Sequence, residues 1–186
     1  MIIGITGTLG AGKGTIASYL VKEKGFKHFS VREFLNKELQ KRKLRLNRDN
    51  LVLVGNELRK KYGPSYISES LYKLARKVGY DSVIESLRTP AEILALKKRA
   101  EFYLFAVDAD PKLRYQRTIL IKEEIYQILY DEFIGNEKRE MDSKDPNKQN
   151  LRKCIEMADY RFENSGEMKN LYKSVDEALK KIKKNK

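Results

Sequence analysis

Short apolar runs along this chain alternate with longer stretches in which apolar residues recur every three or four positions. Residues 1–6, "MIIGIT", are almost wholly apolar and β-branched and stop at Gly7, the pattern of a strand buried on both faces. Residues 15–24, "TIASYLVKEK", then put Ile16, Leu20 and Val21 on one helical face, and Gly25 closes the helix. Four more runs read as strands: 27–30, 81–86 ("DSVIES"), 102–110 ("FYLFAVDAD") and 159–164 ("DYRFEN"). Between and after them, helical spacing predicts helices over 90–100, with Pro90 at its start, and over 168–184. The stretch 111–141 is helical in pattern with a break before or within "IKEE", and 142–150, "DSKDPNKQN", reads as a loop.

Strands alternating with helices predict an α/β fold, a three-layer sandwich around a five-stranded parallel sheet. Two segments, 31–78 and 122–150, show helical spacing but look too polar to cover a sheet, so they are expected to form mobile helical lobes. The 186 residues fit one domain with its own core. No internal repeat or low-complexity linker interrupts them.

Composition narrows the class. At 41% hydrophobic and 35% charged residues, the chain reads as a soluble globular protein, and no apolar run approaches a membrane span. The start of the chain lacks a secretory pattern, and a single cysteine, Cys154, excludes an internal disulfide, so a cytoplasmic protein is expected. One histidine with one cysteine makes no structural zinc site. The net charge of +13 calls for an anionic partner, small or large. Five lysines crowd the last seven residues, however, and without that tail the excess suits an enzyme gripping several phosphates. Small-molecule nucleotides are therefore the expected partners. Nucleic acid is not demanded, and a monomer or a homodimer fits equally.

The chemistry is concentrated in "GTLGAGKGT", residues 7–15, where four of eleven glycines sit beside a lysine between a strand and a helix. Such a loop curls so that successive N–H groups of Gly10, Ala11, Gly12, Lys13, Gly14 and Thr15 point at phosphate oxygens, while the helix start adds positive potential. Lys13 adds a mobile charge for a phosphoryl group in transfer. The phosphate-loop pattern G-x-x-x-x-G-K-[S/T] holds from Gly7 to Lys13, but Gly14 stands where a Mg²⁺-ligating hydroxyl is usual, and the hydroxyl comes one place late at Thr15.

This G-x-x-G-x-G-K-G-T form resembles adenylate kinase and its nucleoside-monophosphate kinase relatives, in which glycine after the lysine is common. The opening is also similar to dephospho-CoA kinases, and from Met1 to about Leu179 the chain most resembles kinase-like proteins related to both. The resemblance implies a P-loop kinase fold with an acceptor-binding lobe at 31–78, a lid at 122–150, and ATP with Mg²⁺ as cofactors. "HFSVREFLNKEL" falls where the family has S-T-G-D-x-L-R: Ser30 and Leu35 match, Glu33 replaces the acid, and Asn36 replaces the arginine. Arg32 is the expected substitute on the acceptor phosphate, with Arg48 and Arg59 behind it. For each, an ordinary salt bridge is the competing reading.

"VIESLRT" resembles the family's L-D-G-F-P-R-T, which puts Glu85 on the carboxylate that orients Mg²⁺-bound water, with Thr15 beside it, and Arg88 on the acceptor phosphate. In "VDADPKLRYQR", Arg117 and less directly Arg114 are expected at the donor phosphates, with Arg139 of "NEKREM" completing the lid. Arg88, Arg117 and Arg139 join Lys13 as the catalytic set, and Asn164 to Gly166 are expected near the donor base. His28 reads as packing or a hydrogen-bond donor, Cys154 as core, and Tyr62, Tyr66 and Tyr72 as packing. The function implied is Mg-ATP-dependent phosphoryl transfer to a (deoxy)nucleoside monophosphate. Dephospho-CoA kinase is one alternative, and a P-loop NTPase coupled to RNA or protein binding is another.

Overall fold

The structure is a computed structural model that describes residues 1–121 and 128–184. Its sheet is formed by β1 (Ile2–Gly7), β2 (Lys27–Ser30), β3 (Ser82–Glu85), β4 (Phe102–Asp108) and β5 (Tyr160–Glu163). The order is β2-β3-β1-β4-β5 with every neighbour parallel. β1 is buried throughout because it lies between β3 and β4 with helices on both faces, which is why its sequence is an unbroken apolar run.

Alternation along the strands feeds two cores. Ile3, Ile5, Val83, Phe105 and Phe162 face α1 (Lys13–Lys24) and α9 (Met168–Lys184), which contribute Ile16, Leu20, Leu171, Val175 and Ile182. Ile2, Ile84, Phe102 and Leu104 face the other way, toward α4 (Tyr66–Val78), α5 (Pro90–Lys97) and the short α8 (Leu151–Glu156). Cys154 is buried in this second core. Local signals set the boundaries: Gly25 ends α1 in the left-handed conformation, and Thr89 with Glu92 forms a capping box ahead of Pro90.

The segment 31–78 differs from expectation. It holds α2 (Val31–Lys41), α3 (Arg48–Tyr62) and α4, and Leu35, Leu39, Val54, Leu58, Ile67, Leu71 and Ala75 all join the core beside Ile2 and Ile84. Its polarity is real but one-sided: Lys73, Arg76 and Lys77 of α4 face solvent while the opposite stripe covers the sheet. In the expected lid, residues 122–127 lie outside the described residues. Before them α6 (Pro111–Ile119) stops ahead of "IKEE", and after them α7 (Tyr130–Met141) leads into the loop 142–150. Phe133 and Tyr130 of α7 pack on Tyr115 of α6, outside both main cores.

Candidate functional site

The crevice lies beyond the carboxyl ends of the strands, where β1 separates β3 from β4 and the chain switches sides of the sheet. The glycine loop runs from Gly7 to the start of α1, whose first turn carries no acidic residue and no side-chain cap, so its N–H groups face an anion site. Gly10 and Gly12 have φ of 75° and 105°. A Cβ on Gly10 would come 2.3 Å from the Arg114 carbonyl oxygen, and one on Gly12 would come 2.3 Å from Asn164 Nδ2. Only glycine combines that backbone with that closeness.

The loop is held from outside by groups on later elements. Thr8 Oγ1 donates to Asp108 Oδ1 at 2.6 Å, Asn164 Nδ2 to the Ala11 carbonyl at 2.8 Å, and Arg114 Nη1 to the Leu9 carbonyl at 3.3 Å. Arg114 is buried, bonded also to Ala109 O and to Glu137 of α7, so it braces the loop instead of facing a ligand. Asn164, expected near the base, is likewise committed to the loop, because β5 ends directly against it. Gly166 stays exposed at the cavity rim.

A cavity of about 860 Å³ opens over the loop. It is lined by Gly10, Gly12, Lys13, Gly14 and Thr15 of the loop, by Arg117, and also by Arg32, Asn36, Arg48, Arg59 and Arg88. Lys13 Nζ donates to the carbonyls of Gly7 (3.0 Å) and Thr8 (2.7 Å). Burial, reinforced by the positive charge of Arg88, lowers its pKa to about 7. Arg117 Nη1 is shielded from solvent and has no hydrogen-bond partner among the described residues, an arrangement that asks for an anion.

Glu85, at the end of β3, divides its two oxygens. Oε2 meets His28 Nε2 at 2.9 Å, while Oε1 faces Gly14, 3.9 Å from where a Cβ would stand. Burial works against the Glu85 charge, but His28, Lys13 and Arg88 outweigh it and hold its carboxyl below the usual range. The hydrogen bond from Glu85 correspondingly raises the His28 pKa despite partial burial. Among the described residues no three His, Cys, Asp or Glu side chains cluster as a metal cage. One carboxylate and the Thr15 hydroxyl nevertheless suit Mg²⁺, which keeps several waters and leans on substrate phosphates.

The candidate acceptor residues are not equivalent. Arg88 bonds Glu140 Oε2 and, at 3.1 Å, Gln149 Oε1, while Arg48 Nη2 bonds Glu140 Oε1 at 2.6 Å. Arg59 is only 2% exposed and is tied through Nε and Nη2 to Glu92 Oε1, at 3.2 and 2.9 Å. The other oxygen of Glu92 receives the N–H groups of Arg88 and Thr89. Arg59 thus steadies the loop that carries Arg88, and its fork is occupied. Arg139 points the other way, toward Asp49 at 3.3 Å, and lines a separate cavity between α7 and the start of α3. The cause is helical phase: Phe133, Asn136 and Glu140 form the inward stripe of α7, and Arg139 falls outside it. That stripe was the signal available for Glu140, which residue-type reasoning passed over in favour of its neighbour. Gln149 and the pairing of His28 with Glu85 carried no such local signal.

Residues 3–145 match the family AAA_18, described as an AAA domain. The chain belongs to that family. It is 31% identical over 189 residues to a UPF0200 protein of Methanococcus vannielii, covering 97% of this chain and 96% of that one. A UPF0200 protein of Staphylothermus marinus is 24% identical over 181 residues, covering 97% and 92%. Solved structures share the architecture of this AAA_18 member. TT1252 from Thermus thermophilus has a TM-score of 0.61 at 19% identity, covering 97% of each chain. Shikimate kinase from Bacteroides thetaiotaomicron reaches 0.59 at 14%, covering 97% and 98%, and a gluconokinase from Sinorhizobium meliloti 1021 reaches 0.59 at 12%, covering 98% and 93%. The fold is that of the P-loop kinases, with the five-stranded parallel sheet expected from the sequence.

Proposed function

We propose that the protein transfers the terminal phosphoryl group of ATP to a small phosphorylated acceptor, a (deoxy)nucleoside monophosphate. One observation carries this reading: a single cavity joins the glycine loop and the partnerless Arg117 atom to Arg32, Arg48 and Arg88. Phosphoryl transfer needs two anionic substrates held in line with their charge neutralised, and such a cavity offers cations for both. Lys13 and Arg117 act on the donor phosphates, and Arg88 with Arg48 and Arg32 on the acceptor. Glu85 and Thr15 would hold Mg²⁺, which when bound supplies charge neutralisation to the donor phosphates. The glycine loop orients the donor chain.

A second reading has one observation in its favour. The His28–Glu85 pair sits in the cavity wall beside Lys13, where a hydroxyl acceptor such as that of dephospho-CoA would need a base. Incubation with Mg-ATP and a panel of (d)NMPs, dephospho-CoA, shikimate and gluconate, read by product mass, separates the two. ATP hydrolysis with no phosphorylated product from any acceptor would sink both and favour a coupled NTPase. Lys13→Ala should lose turnover by about a thousandfold or more with the fold retained.

A further inference from the structure

The acceptor arginines are bridged by an anion that the protein itself supplies. Glu140 is 6% exposed, and each of its oxygens takes a different guanidinium, Arg48 on α3 and Arg88 on the loop after β3. This is the arrangement a bound oxyanion adopts between two arginines. The trio lies in the wall of the cavity that also contains Lys13, and not in either apolar core.

Glu140 occupies the last turn of α7, where the helix dipole disfavours negative charge. α7 contributes no residue to the two main cores. It is docked by the small aromatic cluster around Phe133, by Glu137 on Arg114, by its contact with α8, and by two exposed pairs, Arg139–Asp49 and Asp142–Arg152, of small worth in water. At the C-terminal end of α7, the pairs of Glu140 with Arg48 and Arg88 are the buried part of the hold, since Asp142–Arg152 is exposed. A phosphate monoester brings more charge and one more free oxygen to the same two arginines than a carboxylate does.

We propose that Glu140 is a resident anion in the acceptor cradle, and that the anionic group of the acceptor displaces it and releases the end of α7. The proposal rests on the assignment of Arg48 and Arg88 to the acceptor. It adds that acceptor entry and α7 docking are competing events, so Glu140 sets how strong an anion the site admits. A weak or bulky anion fails to dislodge it, while a phosphate monoester succeeds.

The test titrates inorganic phosphate at constant ionic strength, with the donor site filled by Mg-AMP-PNP, and follows thermal unfolding by circular dichroism. In Glu140→Ala and in the isosteric Glu140→Gln, the phosphate midpoint should fall at least tenfold below wild type. Adding Arg88→Gln to either variant should remove the effect, which separates this site from the glycine loop. A parallel acetate series shows whether a carboxylate also enters, and a midpoint shared with phosphate would refute the selectivity for phosphate. In the wild type, saturating phosphate should speed amide exchange across residues 136–141. Equal midpoints in wild type and in whichever variant folds, or midpoints indifferent to Arg88, would overturn the proposal. A Glu140-dependent phosphate site without any phosphorylated acceptor would refute the kinase assignment instead. A phosphorylated acceptor with Glu140-independent binding would do the reverse.

Discussion

Lys13 offers the sharpest quantitative test, because the fold holds it partly uncharged before any phosphate arrives. The residue is 8% exposed, its ammonium is bonded to two loop carbonyls, and its pKa falls from 10.5 to about 7 through burial and the charge of Arg88. In the unfolded chain the side chain regains its ordinary value. Between pH 7 and 10.5 the unfolded chain therefore binds more protons than the native one, and stability rises with pH across that window. At about 1.4 kcal/mol per pH unit, the whole interval is worth on the order of 5 kcal/mol. Other lysines and tyrosines titrate in the same range, so the measurement is a difference: urea unfolding of wild type and Lys13→Met at pH 7, 8, 9 and 10. The wild type should gain stability relative to the variant at each step. Parallel curves would show that Lys13 is charged in the empty fold and that its burial costs nothing. ATP, by surrounding the ammonium with anions, should restore the charge. Calorimetry at pH 7 in two buffers of different ionisation enthalpy should then record uptake of about half a proton on binding.

Arg117→Ala should lower turnover by about a hundredfold while leaving stability within about 0.5 kcal/mol, since its Nη1 has no partner to lose; steady-state kinetics beside a urea curve checks both. Glu92→Ala should cost about 3–5 kcal/mol in urea unfolding, because it strands buried Arg59 and frees the backbone N–H groups of Arg88 and Thr89. Gly12→Ala should lose nucleotide binding by calorimetry. Its backbone conformation alone costs roughly 1–2 kcal/mol, before the clash with Asn164 is counted. Arg139→Ala should leave turnover and thermal midpoint near wild type, and a large kinetic defect would restore it to the site.

Local signals in the chain were readable where structure is made locally. The β1–glycine loop–α1 unit, the helix opened by Pro90 and the close at Gly25 each depend on neighbours a few residues apart, and each appears where the pattern puts it. The site arginines are different, because their partners are remote. Arg48 finds Glu140 across 92 positions and Arg88 finds it across 52, so no spacing rule could tell an occupied fork from an open one. Arg59 shows the same blindness: it reads as a reserve for the acceptor phosphate or as an ordinary salt bridge, yet Glu92 draws it into the interior. The polarity of segment 31–78 misled for a related reason. Mean composition hides a narrow apolar stripe, and it is the stripe that decides whether a helix covers a sheet.

The tethers of the glycine loop also govern the order in which the molecule can be made. Asn164 reaches back 153 positions to Ala11, Arg114 reaches 105 to Leu9, and Asp108 reaches 100 to Thr8. β1 precedes both of its sheet partners, β3 and β4, in the chain and has none until they emerge. Until then β1 must wait as an unpaired, apolar segment, which favours slow closure and a need for protection during synthesis. Phosphate-binding ability should thus arrive abruptly and late, with the emergence of β5, instead of accumulating as the chain grows.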